Sequence, residues 1–187
     1  MKTIYFITSN KGKLQEAKEK LSAVDVEVIQ KNLVYPEIQA DTLEDVARFG
    51  VEYLQKKIRD SFILEDAGLF IDSLNGFPGV YSSYVFHTIG CKGILRLLKD
   101  ISVGGRKACF RSVFAYKEPD EKPVFFPGEC HGRISTQMLG DYGFGFDPIF
   151  IPVGETRTFA QMDVKEKNCF SHRGKSLEKL IDFFKKQ

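Results

Sequence analysis

Tryptophan is absent from this chain of 187 residues, and cysteine is sparse. Cys91, Cys109, Cys130 and Cys169 stand far apart, with no CxxC pair and no Cys/His group at zinc-module spacing. The spacing therefore predicts free thiols in a reducing cytoplasm and excludes a disulfide-stapled scaffold. No apolar run is long enough to span a bilayer. The N-terminal Met1–Ile7 stretch carries one charge and too few apolar residues for a signal peptide, so it reads as a first strand. Neither sign of charge dominates: 27 Lys and Arg face 25 Asp and Glu. That balance argues against a protein that coats nucleic acid or a membrane surface, and any basic site must be local. Internal repeats, low-complexity segments and basic–aromatic repeats are also missing. The length suits one domain with a sizeable core.

What is present centres on Ser61–Tyr84. Phe62-Ile63-Leu64 reads as a short buried strand that ends in two adjacent carboxylates, Glu65 and Asp66, followed by Ala67-Gly68. Ligands of open α/β sheets sit outside the carboxyl ends of strands, so the two acids are placed to hold a metal or activate a water; taken alone, the pair fits a solvated strand end as well. Gly68–Leu74 continues as a possible strand, and Asn75-Gly76 marks a turn.

Upstream, Lys2–Thr8 is a strand, Thr8–Lys13 a polar loop and Leu14–Leu21 a helix with Leu14, Ala17 and Leu21 on one face. A helix N-terminus offers free N–H groups and a partial positive charge, which favours phosphate, although the stretch alone fits an ordinary capped helix start. The loop lacks the GxxxxGK[ST] pattern, so it is no P-loop. Val24–Gln30 is a second strand. Pro36 breaks the next segment and leaves Glu37 as a loop acid. Thr42–Asp45 reads as a capping box opening a helix that reaches about Arg59. Gly93–Asp100 is a short helix, and Lys107–Tyr116 with Pro123–Cys130 form a hairpin. Glycines flank Phe144 and leave its ring uncovered by its neighbours, to stack on a planar base or, as is commoner for an aromatic, to pack in the core. Met162–Asn168 is a charged helical turn, and Ser171-His172-Arg173 precedes a last helix over Gly174–Lys186. The expected fold is α/β, a long mixed twisted sheet with flanking helices, forming two lobes around a central substrate cleft.

Four blocks, in this order, match one family: Thr8-Ser9-Asn10-Lys11-Gly12-Lys13; Glu65–Leu69 with Gly76–Ser82; Phe144-Gly145-Phe146-Asp147-Pro148-Ile149-Phe150; and Glu166-Lys167-Asn168 running into Ser171-His172-Arg173-Gly174. The chain resembles the ITPase-type nucleoside-triphosphate pyrophosphatases, which hydrolyse inosine and xanthosine triphosphates and their deoxy forms. The resemblance implies that Thr8, Ser9, Asn10, Lys11, Gly12 and Lys13 hold the triphosphate. It implies that Glu37 binds Mg²⁺ and that Asp66 binds Mg²⁺ or serves as general base. Phe144, Gly145, Phe146 and Asp147 would pack on and bond to the purine, while Lys167, His172 and Arg173 read its edge. Ala67 stands where many members carry Ser or Thr, so only its backbone could contact substrate. Many members also carry a phosphate-binding lysine where this chain has Phe49. Arg48, Lys56, or Lys13 with metal would have to substitute.

The implied chemistry is coherent. Two hard oxygen ligands suit Mg²⁺, and a bound ion lowers the pKa of a nearby water. Asp66 then orients or deprotonates water for attack on the α-phosphorus, and pyrophosphate leaves against Lys13 and the helix N-terminus. No covalent nucleophile is needed. Lys167 and Arg173 can only donate hydrogen bonds, so they match the C6 oxygen of hypoxanthine or xanthine and not the amino group of adenine. Guanine shares that oxygen and must be rejected by another feature. A homodimer is expected from the resemblance and from the dense aromatic group Phe77, Tyr81, Tyr84 and Phe86; the alternative is that these rings fill the core. Three other readings compete. The Lys167 and Ser171–Arg173 cluster weighs against a Maf-like pyrophosphatase. The intact Glu37 and Asp66 weigh against a regulatory nucleotide-binding module, and the charge balance against a nucleic-acid-binding protein.

Overall fold

The computed structural model describes residues 2–36 and 38–186; Glu37, one of the two expected metal ligands, lies outside them. Strand β1 (Lys2–Ile7) leads through helix α1 (Lys11–Leu21) to β2 (Val26–Lys31), and α2 (Leu43–Leu54) leads to β3 (Phe62–Ile71). These are crossover units, and β1 accordingly pairs in parallel with both β2 and β3. A two-residue strand, β4 (Pro78–Gly79), precedes α3 (Ser82–Thr88) and α4 (Gly90–Leu97). The long hairpin β5 (Lys107–Lys117) and β6 (Val124–Ile134) follows, then β7 (Phe150–Pro152), α5 (Val164–Phe170) and α6 (His172–Phe184). Together they give the mixed α/β sheet expected, among the described residues seven strands in the order β2-β1-β3-β5-β6-β7 with β4 on β3. From β3 to β7 every pairing is antiparallel.

Local chemistry sets the helix starts. Asn10 caps α1 by accepting from the Lys13 N–H, so Lys11–Lys13 form its first turn rather than a loop. Thr42 caps α2 by accepting from the Asp45 N–H. Asp163 and Glu166 form a capping box on α5, and Ser171 caps α6 by accepting from the Gly174 N–H. Several boundaries differ from the sequence reading. Helix α2 ends at Leu54, short of Arg59, and α4 starts at Gly90. Helix α3 has no counterpart in that reading.

The main correction concerns β3, which does not stop at its acids. It runs on to Ile71 in register with β5, so Glu65 and Asp66 lie mid-strand and face opposite sides of the sheet. On the Glu65 face two apolar clusters meet. One packs α1 and α6 on Ile4, Phe6, Ile63 and Phe114; the other packs Ile94 and Phe159 on Leu69, Ile71, Phe110 and Phe150. Between them the strands carry Glu65 and Ser112, both buried, which makes a polar seam across the sheet. On the Asp66 face α2 lays Leu43, Ala47, Val51 and Leu54 over Leu64, Val113 and Ala115.

Candidate active site

The sheet opens along one edge of β3. β1 accompanies β3 only from Phe62 to Leu64, and β4 takes up the same edge at Leu69 and Phe70. Among the described residues, Glu65–Gly68 have no strand neighbour on that side. The Thr8–Asn10 turn leaves β1 at this gap. The Asn10 N–H donates to Thr8 Oγ1, and Gln30 Nε2 donates to the Thr8 carbonyl. The first turn of α1 carries no acid, so its free N–H groups and dipole meet no internal counter-charge there. Lys13 spans the gap, with Nζ 2.7 Å from Glu65 Oε2 and donating to the Glu65 carbonyl at 3.2 Å.

From Lys13 an alternating chain of charges runs along the seam. Glu65 Oε1 accepts from Arg173 Nε at 3.0 Å and lies 2.8 Å from Arg173 Nη2. Arg173 Nη1 donates to Glu16 Oε2 at 2.7 Å, and Glu16 Oε1 lies 2.7 Å from Lys167 Nζ. Lys167 in turn donates to Asp147 Oδ2 at 2.6 Å. All but Lys13 are buried. Burial works against the charged form of Glu65, but Arg173 and Lys13 outweigh it and hold the carboxyl below its ordinary range. Arg173 and Lys167 do the same for Glu16. Asp147 goes the other way: burial, reinforced by the Glu16 charge, raises it despite Lys167. His172 is pushed well below its ordinary value by burial and then by Arg173 and Lys167. It is therefore a neutral imidazole, stacked on Phe110 at 4.7 Å between centroids and 11° between planes.

Phe144 closes the seam. Its ring centroid lies 4.7 Å from Lys167 Nζ and 5.3 Å from Arg173 Cζ, in cation–π range. It also covers Gly12, where a Cβ would overlap the ring. The Phe144 N–H donates to Asp147 Oδ2 at 2.8 Å, and Gly143 and Gly145 take positive φ to make the turn.

The sequence pattern of the Ham1 family matches residues 4–183. The chain belongs to the Ham1 family. Over 182 residues it is 50% identical to a protein of Pyrococcus horikoshii named dITP/XTP pyrophosphatase, covering 97% of this chain and 96% of that protein. A protein of the same name from Methanopyrus kandleri is also 50% identical over the same share of each chain. Among solved structures, a HAM1 protein from Coxiella burnetii superposes with a TM-score of 0.86 at 30% identity, covering 100% of both chains.

In this Ham1 chain the residues singled out from sequence fall into two groups. Lys13, Phe144, Asp147, Lys167, His172 and Arg173 come together at the seam, with Thr8, Asn10 and Gly12 at its rim; Ser9 and Lys11 are exposed beside them. Asp66 is half-buried on the opposite face; its β5 partner Val113 lines a cleft of about 120 Å³ together with Thr42, Phe70, Arg111 and Glu129. Three expectations need correcting. Glu65 is no free partner for Asp66, because Lys13 and Arg173 take both its oxygens. Phe146 is a core residue, 3% exposed and edge-on to Phe86, so its ring is not a surface for a base. Phe144 is half-buried against two cations rather than uncovered. Ala67 is half-buried mid-strand. Arg48, a candidate for the missing lysine, lies over the Phe125 ring at 4.9 Å, and Phe49 stacks on Tyr53. Glu16 escaped the sequence reading. It borders the Leu14–Ala17–Leu21 stripe, where a solvated acid fits equally well, and only the docking of α5 and α6 shows its role. Burial pushes the Cys91 thiol up to about 11 and the Cys130 thiol up to about 12, so neither is a nucleophile at neutral pH. Among the described residues, no helix is long and apolar enough to cross a membrane.

Proposed function

We propose that this chain hydrolyses non-standard purine nucleoside triphosphates, ITP, dITP and XTP, to the monophosphate and pyrophosphate, and so clears them from the cytoplasmic nucleotide pool. One arrangement carries the reading. A donor-only pair, Lys167 and Arg173, lies under the Phe144 ring, and the first turn of α1 stands beside it, with Gly12 under the same ring and Lys13 on Glu65; Asp66 lies on the opposite face of β3. The names of the relatives fit it.

The purine would lie at Phe144. Lys167 has three N–H groups and gives two to Glu16 and Asp147; Arg173 has five and gives three to Glu16 and Glu65. The remaining donors are held rigidly and suit a C6 oxygen. An adenine amino group would leave buried donors unpaired, a mismatch such sites can reject by ~10⁴-fold or more. His172, neutral and stacked, supports the wall. The α1 N–H groups with Thr8, Ser9, Asn10, Lys11 and Lys13 would take the phosphates, and Gly12 keeps the surface flat beneath Phe144.

Asp66 would accept the proton of the attacking water. Asp66, a half-buried carboxylate on the open stretch of β3, is the oxygen donor a hard divalent ion takes and so fits Mg²⁺; Glu37 is the second ligand that the family resemblance implies. Bound there, Mg²⁺ supplies charge neutralisation and a more acidic water. A homodimer through the β4–α3 aromatic group completes the proposal.

The test is hydrolysis in ¹⁸O-labelled water with Mg²⁺ and a panel of triphosphates. Label is expected in the monophosphate, as attack on the α-phosphorus requires, with kcat/KM for ITP and XTP ahead of GTP and far ahead of ATP and pyrimidines. Label in orthophosphate, or equal kcat/KM for ITP and ATP, would overturn the reading.

A further inference from the structure

On the Asp66 face, at the edge of the cleft that Glu129 lines, sits a group the pyrophosphatase reading does not use. The β3–β5–β6 register sets side chains in rows: Asp66, Val113 and Pro127; then Gly68, Arg111 and Glu129; then Phe70, Cys109 and His131. Residues directly opposite share a face, and so do residues two apart on one strand. Cys109, His131 and Glu129 therefore converge, and one ligand atom from each lies within 4.8 Å of the others.

We propose that Cys109, Glu129 and His131 form a binding site for Zn²⁺ or a similar borderline ion, separate from the Mg²⁺ expected at Asp66. Thiolate, imidazole and carboxylate are the ligand types zinc takes, and a thiolate selects against Mg²⁺. Around a tetrahedral ion, ligand atoms at zinc distances sit roughly 3.4–3.7 Å apart. His131 Nε2 and Glu129 Oε2 are already 3.6 Å apart. Closing the remainder falls to the exposed Glu129 and His131 side chains, while Cys109 stays fixed in the sheet at 4% exposure. Arg111 Nε holds the other carboxylate oxygen, Oε1, at 3.2 Å and leaves Oε2 for the ion. Arg111 is itself seated over the Phe70 ring at 4.7 Å. Coordination replaces the Cys109 thiol proton, which passes to water. With three protein ligands the fourth position faces solvent, as in open zinc sites.

The test uses metal-stripped full-length protein in a Cys169→Ser background, which removes the exposed thiol, with Mg²⁺ in excess. Titration with Co²⁺ should take up one ion per chain. It should show tetrahedral visible absorption and a thiolate-to-cobalt band in the near ultraviolet, both lost on adding Zn²⁺. Loss of an outer-shell partner commonly costs 10–100-fold in metal affinity. His131→Ala and Glu129→Gln, both at exposed positions that leave the fold intact, should each weaken Zn²⁺ binding by at least about tenfold. Cys109→Ser should abolish the near-ultraviolet band. No thiolate band in the parent protein, or Zn²⁺ affinity unchanged by His131→Ala and Glu129→Gln, would overturn the proposal.

Discussion

Glu16 shows what a single buried acid does here. Its two oxygens each hold a cation at 2.7 Å, and both cations are buried. Glu16→Gln keeps the shape and removes the charge, so two buried cations lose a counter-ion. Breaking such a pair typically costs about 3–5 kcal/mol, and urea unfolding should show a loss of that size. An unchanged midpoint would mean the seam is not held by its charges. Asp66→Asn is the contrasting case: turnover should fall at least ~10²-fold with the unfolding midpoint retained. Activity that survives would remove Asp66 from the chemistry. His172 sets a pH dependence. Its pKa is depressed in the fold, so below about 6.5 the unfolded chain binds a proton that the native one refuses. Stability therefore falls as pH drops through this window, by up to about 1.4 kcal/mol per pH unit. Glu16 and Glu65 are also depressed, and their contribution is lost only further down, as pH falls below the ordinary carboxylate range. His172→Gln should flatten the slope between pH 6.5 and 5.5 while leaving the acid limb. A slope that persists would assign it to another group.

At the scale of elements, what could be read from the sequence is what local chemistry decides. Asn10, Thr42 and Ser171 cap helices through bonds three residues away, and the Lys107–Cys130 hairpin follows from β-rich runs around a Pro-Asp turn. What could not be read depends on distant partners. A buried Glu65 in mid-strand looks like a strand end until Arg173, 108 residues on, is seen to pair with it. Glu16 takes its role from the same arginine, 157 residues away. Helix α3 was hidden because SSYVFHT is rich in β-branched and aromatic residues of low helix propensity. The four motif blocks were legible in the sequence, and Lys13, Phe144, Asp147, Lys167, His172 and Arg173 from them come together. The sorting of site residues onto two faces of the sheet was not legible, because it follows from β3 continuing past its acids. The docking of α6 on β6 fixes where Arg173 stands, and Gly128 permits it: a Cβ there would overlap the His172 carbonyl. Gly128→Ala must lift the start of α6, an overpacking change that typically costs about 1–3 kcal/mol or more. It should also lower kcat/KM for ITP, since Arg173 moves with the helix. Gly104→Ala, where an added Cβ meets nothing within 4 Å, should stay within ~0.5 kcal/mol of the parent. Equal behaviour of the two variants in unfolding and ITP turnover would refute the close-packing account.

For the whole molecule, the aromatic group on β4 and α3 is the feature a single chain leaves unused. Phe86 is partly buried against the core, but Phe77, Tyr81 and Tyr84 remain 39%, 45% and 71% exposed, with Ile89 at 43% nearby. Core filling thus accounts for one ring of the four. Rigid aromatics exposed together are favoured at interfaces, and a two-fold dimer would cover them with their own copies. The location matters for the site as well. β4 pairs with β3 at Leu69 and Phe70, immediately beyond the open Glu65–Gly68 edge. A partner docked on α3 would stiffen that wall of the gap, so assembly and activity should be linked. Sedimentation velocity at micromolar concentration should give a particle of twice the 21.3 kDa chain mass. Tyr84→Glu, at the most exposed ring, should shift it to the monomer with little loss of fold, since a surface substitution outside special features stays within ~0.5 kcal/mol. Specific activity toward ITP should fall along with the dimer, both in the variant and on dilution of the parent protein. A parent chain that sediments only as monomer would end the dimer assignment. A Tyr84→Glu monomer with full activity would keep the dimer but sever it from the site.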